Sequence, residues 1–386
     1  MKDSGIEWIG EIPEGWSKNK VIRLFDIIGS GTTPKNVTSD FPVVNWIQSG
    51  DITGSFMPAC KNVISANLLS QYSALKVYPA PFIIIAMYGA SVGNASISLI
   101  DGCVNQACCV LSSPSCNLHY AFYVIKSAQS YLVRKAVGGG QPNISQETIK
   151  QLWLPLPPLS TQDIIVRNLD AICSKIDNLL SSVHASIEEY KKLKQAVITQ
   201  AVTEGTPAMF SSPHSVKLKY LISIVSGEAI RNEQLSDFGE YPVYGGGEII
   251  GFCSQYNTSE GSLIIGRVGA RCGCVTHTTC KSWATDNALI VLPTCNAKYM
   301  YYVIGHCQLN NLNTSNAQPL ITSTKIKNVV VPYFSDAMQQ QEITDYLDAK
   351  CAEIDGLITR KEQLVKELES YKKSLIYEVV TGKREV

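Results

Sequence analysis

The sequence predicts an α+β chain: two similar, mainly β domains separated by two long helices that pair as an antiparallel coiled coil, with pseudo-two-fold symmetry. Three observations predict it. First, the chain repeats itself at a spacing of about 178 residues. Gln162, Leu169-Asp170-Ala171, Ile176-Asp177 and Leu179 recur as Gln340, Leu347-Asp348-Ala349, Ile354-Asp355 and Leu357, and the same offset carries Lys194 onto Lys372 and Val202-Thr203 onto Val380-Thr381. Second, each copy opens with short apolar runs punctuated by glycine and proline, a pattern of buried strands and turns. Third, each copy closes on apolar positions that recur every 3.5 residues, the coiled-coil period. A repeat this long lies outside the 20–50-residue units of solenoids and marks a duplicated module. The expected boundaries are a first domain at 1–158, a helix at 159–205, a second domain at 206–335 and a second helix at 336–386.

The strands come first. Phe82-Ile83-Ile84-Ile85-Ala86-Met87-Tyr88 and Leu263-Ile264-Ile265-Gly266-Arg267-Val268 read as buried strands, each followed by a matching turn, Gly89-Ala90-Ser91-Val92-Gly93 and Gly269-Ala270-Arg271-Cys272-Gly273. Glycine permits positive φ or close backbone approach in such a turn. Asn105-Gln106-Ala107 is matched with Asp286-Asn287-Ala288, and Phe41-Pro42-Val43-Val44 with Tyr241-Pro242-Val243-Tyr244. Between these, Trp46 to Ile52 and Gly245 to Ile250 diverge. Helices are expected to follow at Tyr120 to Ile125 and Tyr299 to Ile304, their aromatics assigned to the core. Gln141-Pro142 and Gln318-Pro319 come next, each behind a loop of small residues, and the blocks end at Leu154-Pro155 and Val331-Pro332. Scaffold segments match while loops differ, as expected if each copy recognises something different on one frame.

The helices follow. Positions 165, 169, 172, 176, 179, 183, 186, 190, 193 and 197 step by alternating four and three, with Ser186 and Tyr190 the exceptions to Ile, Leu or Val. The second helix takes the same register through Ile343, Leu347, Ile354, Leu357, Leu364, Leu368, Tyr371 and Leu375, interrupted by Lys350 and Lys361. Prolines precede both helices and Gly205 and Gly382 close them. About 40 helical residues span roughly 60 Å.

Composition narrows the class. Of 386 residues, 45% are hydrophobic and 17% charged, enough to bury real cores. No apolar run approaches the ~20 residues that cross a membrane. The start, Met1-Lys2-Asp3-Ser4-Gly5, lacks the features of a secretory signal, so the expected compartment is the cytoplasm. The 13 cysteines are expected to be reduced, mostly buried thiols. Cys272, Cys274, His277 and Cys280 have metal-like spacing, but the other copy has Val92, Asn94, Ile97 and Ile100 there, so no metal is assigned. Net charge is zero, yet residues 1–158 carry 11 Lys and Arg against 9 Asp and Glu, and 206–335 carry 9 against 7. Both helices are mildly acidic. A local basic face suffices for phosphate contact. Phosphate-loop, zincin, C-x-x-C and nucleophile-elbow motifs are absent, as is the Asn/Asp-Pro-Pro-aromatic run of amino-methyltransferases, and the five histidines have no catalytic partner. The balance favours a binding subunit over an enzyme, with a coiled-coil scaffold or tether as the alternative.

The whole chain resembles the specificity subunit of type I restriction-modification systems. The matching stretches are Gly5 to Trp16, Tyr241-Pro242-Val243-Tyr244-Gly245-Gly246, Leu154-Pro155-Leu156-Pro157-Pro158-Leu159-Ser160-Thr161-Gln162, and Val379-Val380-Thr381-Gly382-Lys383. The segment Pro332 to Gln340 departs from the family's Pro-Pro-Leu form. The resemblance implies two target recognition domains, each reading half of a bipartite, asymmetric sequence in double-stranded DNA. It also implies docking of two adenine-N6 methyltransferase subunits and of restriction–translocase subunits, and no membrane. Catalysis would belong to those partners, and S-adenosylmethionine, ATP and Mg are expected only there; this chain is expected to bind no cofactor.

Arginine fits guanine and Asn or Gln fits adenine, while Lys, Ser and Thr more often hold phosphate. On that chemistry the DNA-contacting candidates in the first block are Ser30, Thr32, Thr33, Lys35, Ser91, Asn94, Gln141 and Asn143. In the second block they are Arg231, Arg267, Arg271, Asn316 and Gln318.

Overall fold

In a computed structural model, the chain is described at residues 1–385 except 36, 38, 139, 141, 210, 270 and 313–319. It divides into two compact units, Met1–Ser182 with Leu364–Val386, and Val183–Gln363. Each unit therefore holds one β-rich block, part of the helix Leu159–Glu204 and part of the helix Ala337–Val380.

In the first unit a five-stranded sheet runs in the order Phe25–Gly29, Cys108–Pro114, Phe82–Ala86, Ala95–Ser98, Phe56–Met57. Phe82–Ala86 is buried along its whole length, which is why it reads as an unbroken apolar run rather than an alternating one. The helix Leu118–Ser127 packs on the sheet and buries Tyr120, Phe122 and Tyr123. A second sheet centres on Val43–Ile47, parallel to Cys103–Val104 and antiparallel to Val63–Ser65. The second unit repeats the plan. Its sheet runs Ile222–Ser226, Ala288–Pro293, Leu263–Gly266, Val275–His277, and its smaller sheet has Tyr241–Tyr244 parallel to Trp283–Ala284 and antiparallel to Ile249–Cys253.

The residues repeated at 178 attach each helix to its block. Gln162 is 3% exposed; its Oε1 accepts the Asn117 backbone N–H at 2.9 Å and its Nε2 donates to Pro157 O at 2.8 Å. Gln340, 2% exposed, accepts from Asn296 N at 3.3 Å and donates to Phe334 O at 2.7 Å. Asn117 and Asn296 in turn cap the block helices. Tyr123 donates to Asp170 at 2.5 Å, and Tyr302 to Asp348 at 2.7 Å. Burial, then the neighbouring carboxylate, pushes both phenols far above their ordinary range.

Within each unit the two long helices lie antiparallel. In the first unit Tyr120 Oη donates to both Val380 O and Pro155 O, and further along Lys372 meets Asp177 at 2.5 Å. In the second unit the Lys361 ammonium lies over the Tyr190 ring and Lys194 meets Asp355 at 2.7 Å. These two ion pairs are the same pair carried through the repeat.

The structure corrects the expected heptad. Leu169, Ile176, Val183, Tyr190 and Val197 face inward, but the alternate positions are Cys173, Leu180, Ile187 and Lys194 rather than 172, 179, 186 and 193. In the second helix they are Cys351, Ile358, Val365 and Lys372, and Ile172, Leu179, Leu193, Leu364 and Tyr371 are exposed. Apolar residues stand on both sides of each shared position, so the pattern alone fits two registers a residue apart. Lys350 is outside the seam and does not interrupt it; Lys361 lies within it, half-buried, as do Lys194 and Lys372.

Two alignments between the copies are also corrected. Asn105 corresponds to Thr285, not Asp286: Asn105 N donates to Ile47 O and Thr285 N to Tyr244 O, and their side chains accept from Ala107 N and Asn287 N. The same bonds place Tyr244 opposite Ile47, so the shared Pro-Val of Phe41 to Val44 and Tyr241 to Tyr244 is coincidental. Beyond that point the copies diverge: residues 48–62 join Val43–Ile47 to Val63–Ser65, whereas residues 245–248 alone join Tyr241–Tyr244 to Ile249–Cys253.

Candidate nucleic-acid interface

In the first unit, several of the candidates gather where the strand Phe82–Ala86 ends. The 3-10 turn Gly89–Ser91 follows it, and Gly89 N donates to Pro142 O at 2.9 Å. Asn143, exposed, pairs its backbone with Val137 in both directions and forms a bridge to Tyr88. Ser30 Oγ donates to Cys108 O at 2.7 Å, and Thr33 Oγ1 to Gln106 Oε1 at 2.7 Å. Gly31 between them is required by close approach, since a Cβ there would lie 1.7 Å from Val104 O. Ser30, Thr33, Ser91 and Asn143 thus rim one edge of the block. Ser91 Oγ donates to Tyr88 O at 3.3 Å, and Thr32 lies beside Thr33, partly exposed. Lys35 is exposed and its backbone N–H reaches Tyr72 Oη at 3.2 Å. Asn94 turns inward, its Oδ1 accepting from Gln129 at 2.6 Å. Gln141 lies outside the described residues, as do Asn316 and Gln318 of the second block.

In the second unit, Arg267 N donates to Asn287 O and Arg267 O accepts from Ile321 N, both at 3.0 Å. Four residues on, Arg271 is exposed and its Nε lies 2.7 Å from Glu248 Oε1. Gly246, Glu248, Ile250, Val268, Gly269, Arg271 and Asn287 line a hollow. Glycine makes this packing possible: a Cβ on Gly246 would stand 2.4 Å from Val268 O, and Gly247, at φ +107°, faces Arg271 O. Arg231 sits apart on the turn Asn232–Gln234, exposed, and no hydrogen bond or ion pair among the described residues links it to the other arginines. Glu248 and Asn287 in the second unit and Gln106 in the first belong to these rims and were not among the candidates. Nothing in the repeat marks Glu248, because its turn, residues 245–248, is far shorter than the connection 48–62 of the first block.

Among the described residues no group of three or more His, Cys, Asp or Glu is placed to hold a metal. Cys272 is buried and donates to Arg267 O at 3.2 Å, and burial pushes its thiol up. His277 lies in the strand Val275–His277, its imidazole held below its ordinary range by burial and then by Lys298. Among the described residues no helix is long and apolar enough to cross a membrane.

Two β-rich blocks with one scaffold and unlike polar rims are now established. The family described as type I restriction modification DNA specificity domain matches residues 13–189 and again 214–367. The chain belongs to this family. A specificity subunit relative from Mycoplasma genitalium is 23% identical over 311 residues, covering 74% of this chain and 80% of the relative. The EcoprrI specificity subunit of Escherichia coli is 22% identical over 323 residues, covering 78% and 79%. A solved chain from a type I restriction-modification assembly superposes with a TM-score of 0.74 at 15% identity, over 97% of this chain and all of that one, and so shares the fold. The protein is a type I restriction-modification specificity subunit, a DNA sequence-recognition component.

Proposed function

We propose that the two blocks read the two halves of a bipartite, asymmetric target in double-stranded DNA, and that the chain itself is not catalytic. One observation carries this: the equivalent turns that follow the buried strands present unlike polar groups at the same edge, Ser91, whose hydroxyl donates to Tyr88 O, against Arg271, which meets Glu248. Common frames with exchanged base-facing groups are what two different half-sites require. The partners are two adenine-N6 methyltransferase subunits and the restriction–translocase subunits, which hold S-adenosylmethionine, ATP and Mg in the cytoplasm. Ile172, Leu179, Leu364 and Tyr371, exposed on the chain alone, give a docking subunit apolar helix surface to cover.

The test is an electrophoretic shift of the assembled complex on its target. Arg267→Ala and Arg271→Ala should each weaken specific binding. Binding unchanged in both would show that the second reading edge is misplaced, and methylation or cleavage by the purified chain alone would contradict the assignment to partners.

A further inference from the structure

We propose that Glu248 and Arg271 together read one G·C base pair, with Arg271 on the guanine and Glu248 both orienting that arginine and accepting from the cytosine. This rests on the DNA-reading role above and specifies the base class of the second block's half-site.

The pair's position favours recognition over stability. Both side chains are more than half exposed, at 57% and 62%, and exposed ion pairs contribute little to folding. Yet two successive glycines, Gly246 and Gly247, lay the hairpin backbone against the segment that carries Arg271. Gly245 N donates to Glu248 O at 2.8 Å, closing the hairpin and fixing where the glutamate leaves the chain. In the first unit the position of Arg271 is held by Ser91, whose hydroxyl donates to Tyr88 O, so the pair belongs to the second block.

The geometry matches one base-pair edge. The approach is through Nε and Oε1, so the outer nitrogens of the guanidinium fork and the second carboxylate oxygen remain available. The major-groove edge of G·C presents two acceptors on guanine, N7 and O6, then the N4 amino donor of cytosine. A guanidinium fork beside a carboxylate oxygen offers donors, then an acceptor, in the complementary order. An A·T edge puts the adenine N6 donor against the fork and an acceptor against the carboxylate, so both contacts become repulsive. Holding Arg271 through its Nε also removes rotamer freedom that binding would otherwise have to quench. The remaining lining residues suit a base edge: Gly246 and Gly269 leave room, and Asn287 adds an amide beside the pair.

The experiment expresses the full chain with its methyltransferase subunits in a host without adenine methylation and maps methylated adenines by sequencing the DNA. The half read by the second block is identified by exchanging residues 206–335 for those of a relative. The wild-type motif should carry a fixed G·C pair in that half. Arg271→Ala and Arg271→Lys should make that one position degenerate, lowering discrimination roughly 5- to 150-fold. Glu248→Gln should relax the same position with overall binding retained, an outcome that a purely structural role would not give. Arg271→Lys keeps the charge and serves if the alanine variant fails to assemble. A motif of wild-type sharpness in both Arg271→Lys and Glu248→Gln, or no fixed G·C pair in that half, overturns the proposal. A wild-type complex that methylates without sequence preference overturns the DNA-reading role instead.

Discussion

Replacing Gln340 with alanine should loosen the second unit by about 2 kcal/mol, and the number follows from two bonds. The side chain is 2% exposed and satisfies Phe334 O at 2.7 Å and Asn296 N at 3.3 Å. Alanine reaches neither. Each buried backbone group left without a partner costs ~1–3 kcal/mol, and the longer Asn296 contact belongs at the lower end. Freeing a fixed glutamine side chain returns ~1.5–2 kcal/mol of rotamer entropy. Gln162→Ala removes the equivalent bonds to Pro157 O and Asn117 N and should loosen the first unit by a similar amount. The control is Gln341→Ala, whose exposed side chain accepts from Asn296 Nδ2 and should change stability by less than about 0.5 kcal/mol. Two units need not unfold as one transition, so the assay is native-state hydrogen exchange by mass spectrometry, followed in the block helices Leu118–Ser127 and Ala297–His306. The reasoning fails if Gln340→Ala accelerates exchange no more than Gln341→Ala, or accelerates it equally in both units.

Other outcomes follow from the same contacts. Asp177→Asn leaves the Lys372 ammonium, 15% exposed, without its partner; the half-exposed carboxylate limits the cost to about 1 kcal/mol, and Lys372→Met should be neutral or stabilising in urea unfolding. Burial holds the His277 and His306 imidazoles low, so the unfolded chain protonates first; the second unit should lose stability as pH falls through about 6.5, and His306→Gln should flatten that loss in exchange measured from pH 7 to 5. Cys108 and Cys109, buried and pushed up to about 12, should resist maleimide at pH 7.5 while the exposed Cys274 and Cys280 react, as peptide mapping would show.

The duplication was legible because the contacts that dock helix on block demand particular residues. Gln162 and Gln340, like Asp170 and Asp348, make the same bonds to buried backbone groups and phenols in their own copies. The seam was legible in period but not in phase. Cys173, Ile187 and Val365 are inside, Ile172, Leu179 and Leu364 are outside, and hydrophobicity does not distinguish them. Lys194 and Lys372 are partly buried at seam positions that period alone assigns to apolar residues, while their ammonium groups reach Asp355 and Asp177. The reading edges were partly legible. Arg267 and Arg271 stand on a turn whose glycines mark it, but Glu248 sits on a short turn, residues 245–248, that the longer connection 48–62 of the first block does not match. Asn94 shows the reverse: a residue type suited to adenine whose amide oxygen is held by Gln129.

The most direct measurement exchanges residues 206–335 for the matching block of a relative and maps methylated adenines in DNA modified by the assembled complex. Two independent reading blocks predict that one half of the target changes and the other is retained. A target unchanged in both halves, or changed in both, would contradict that account.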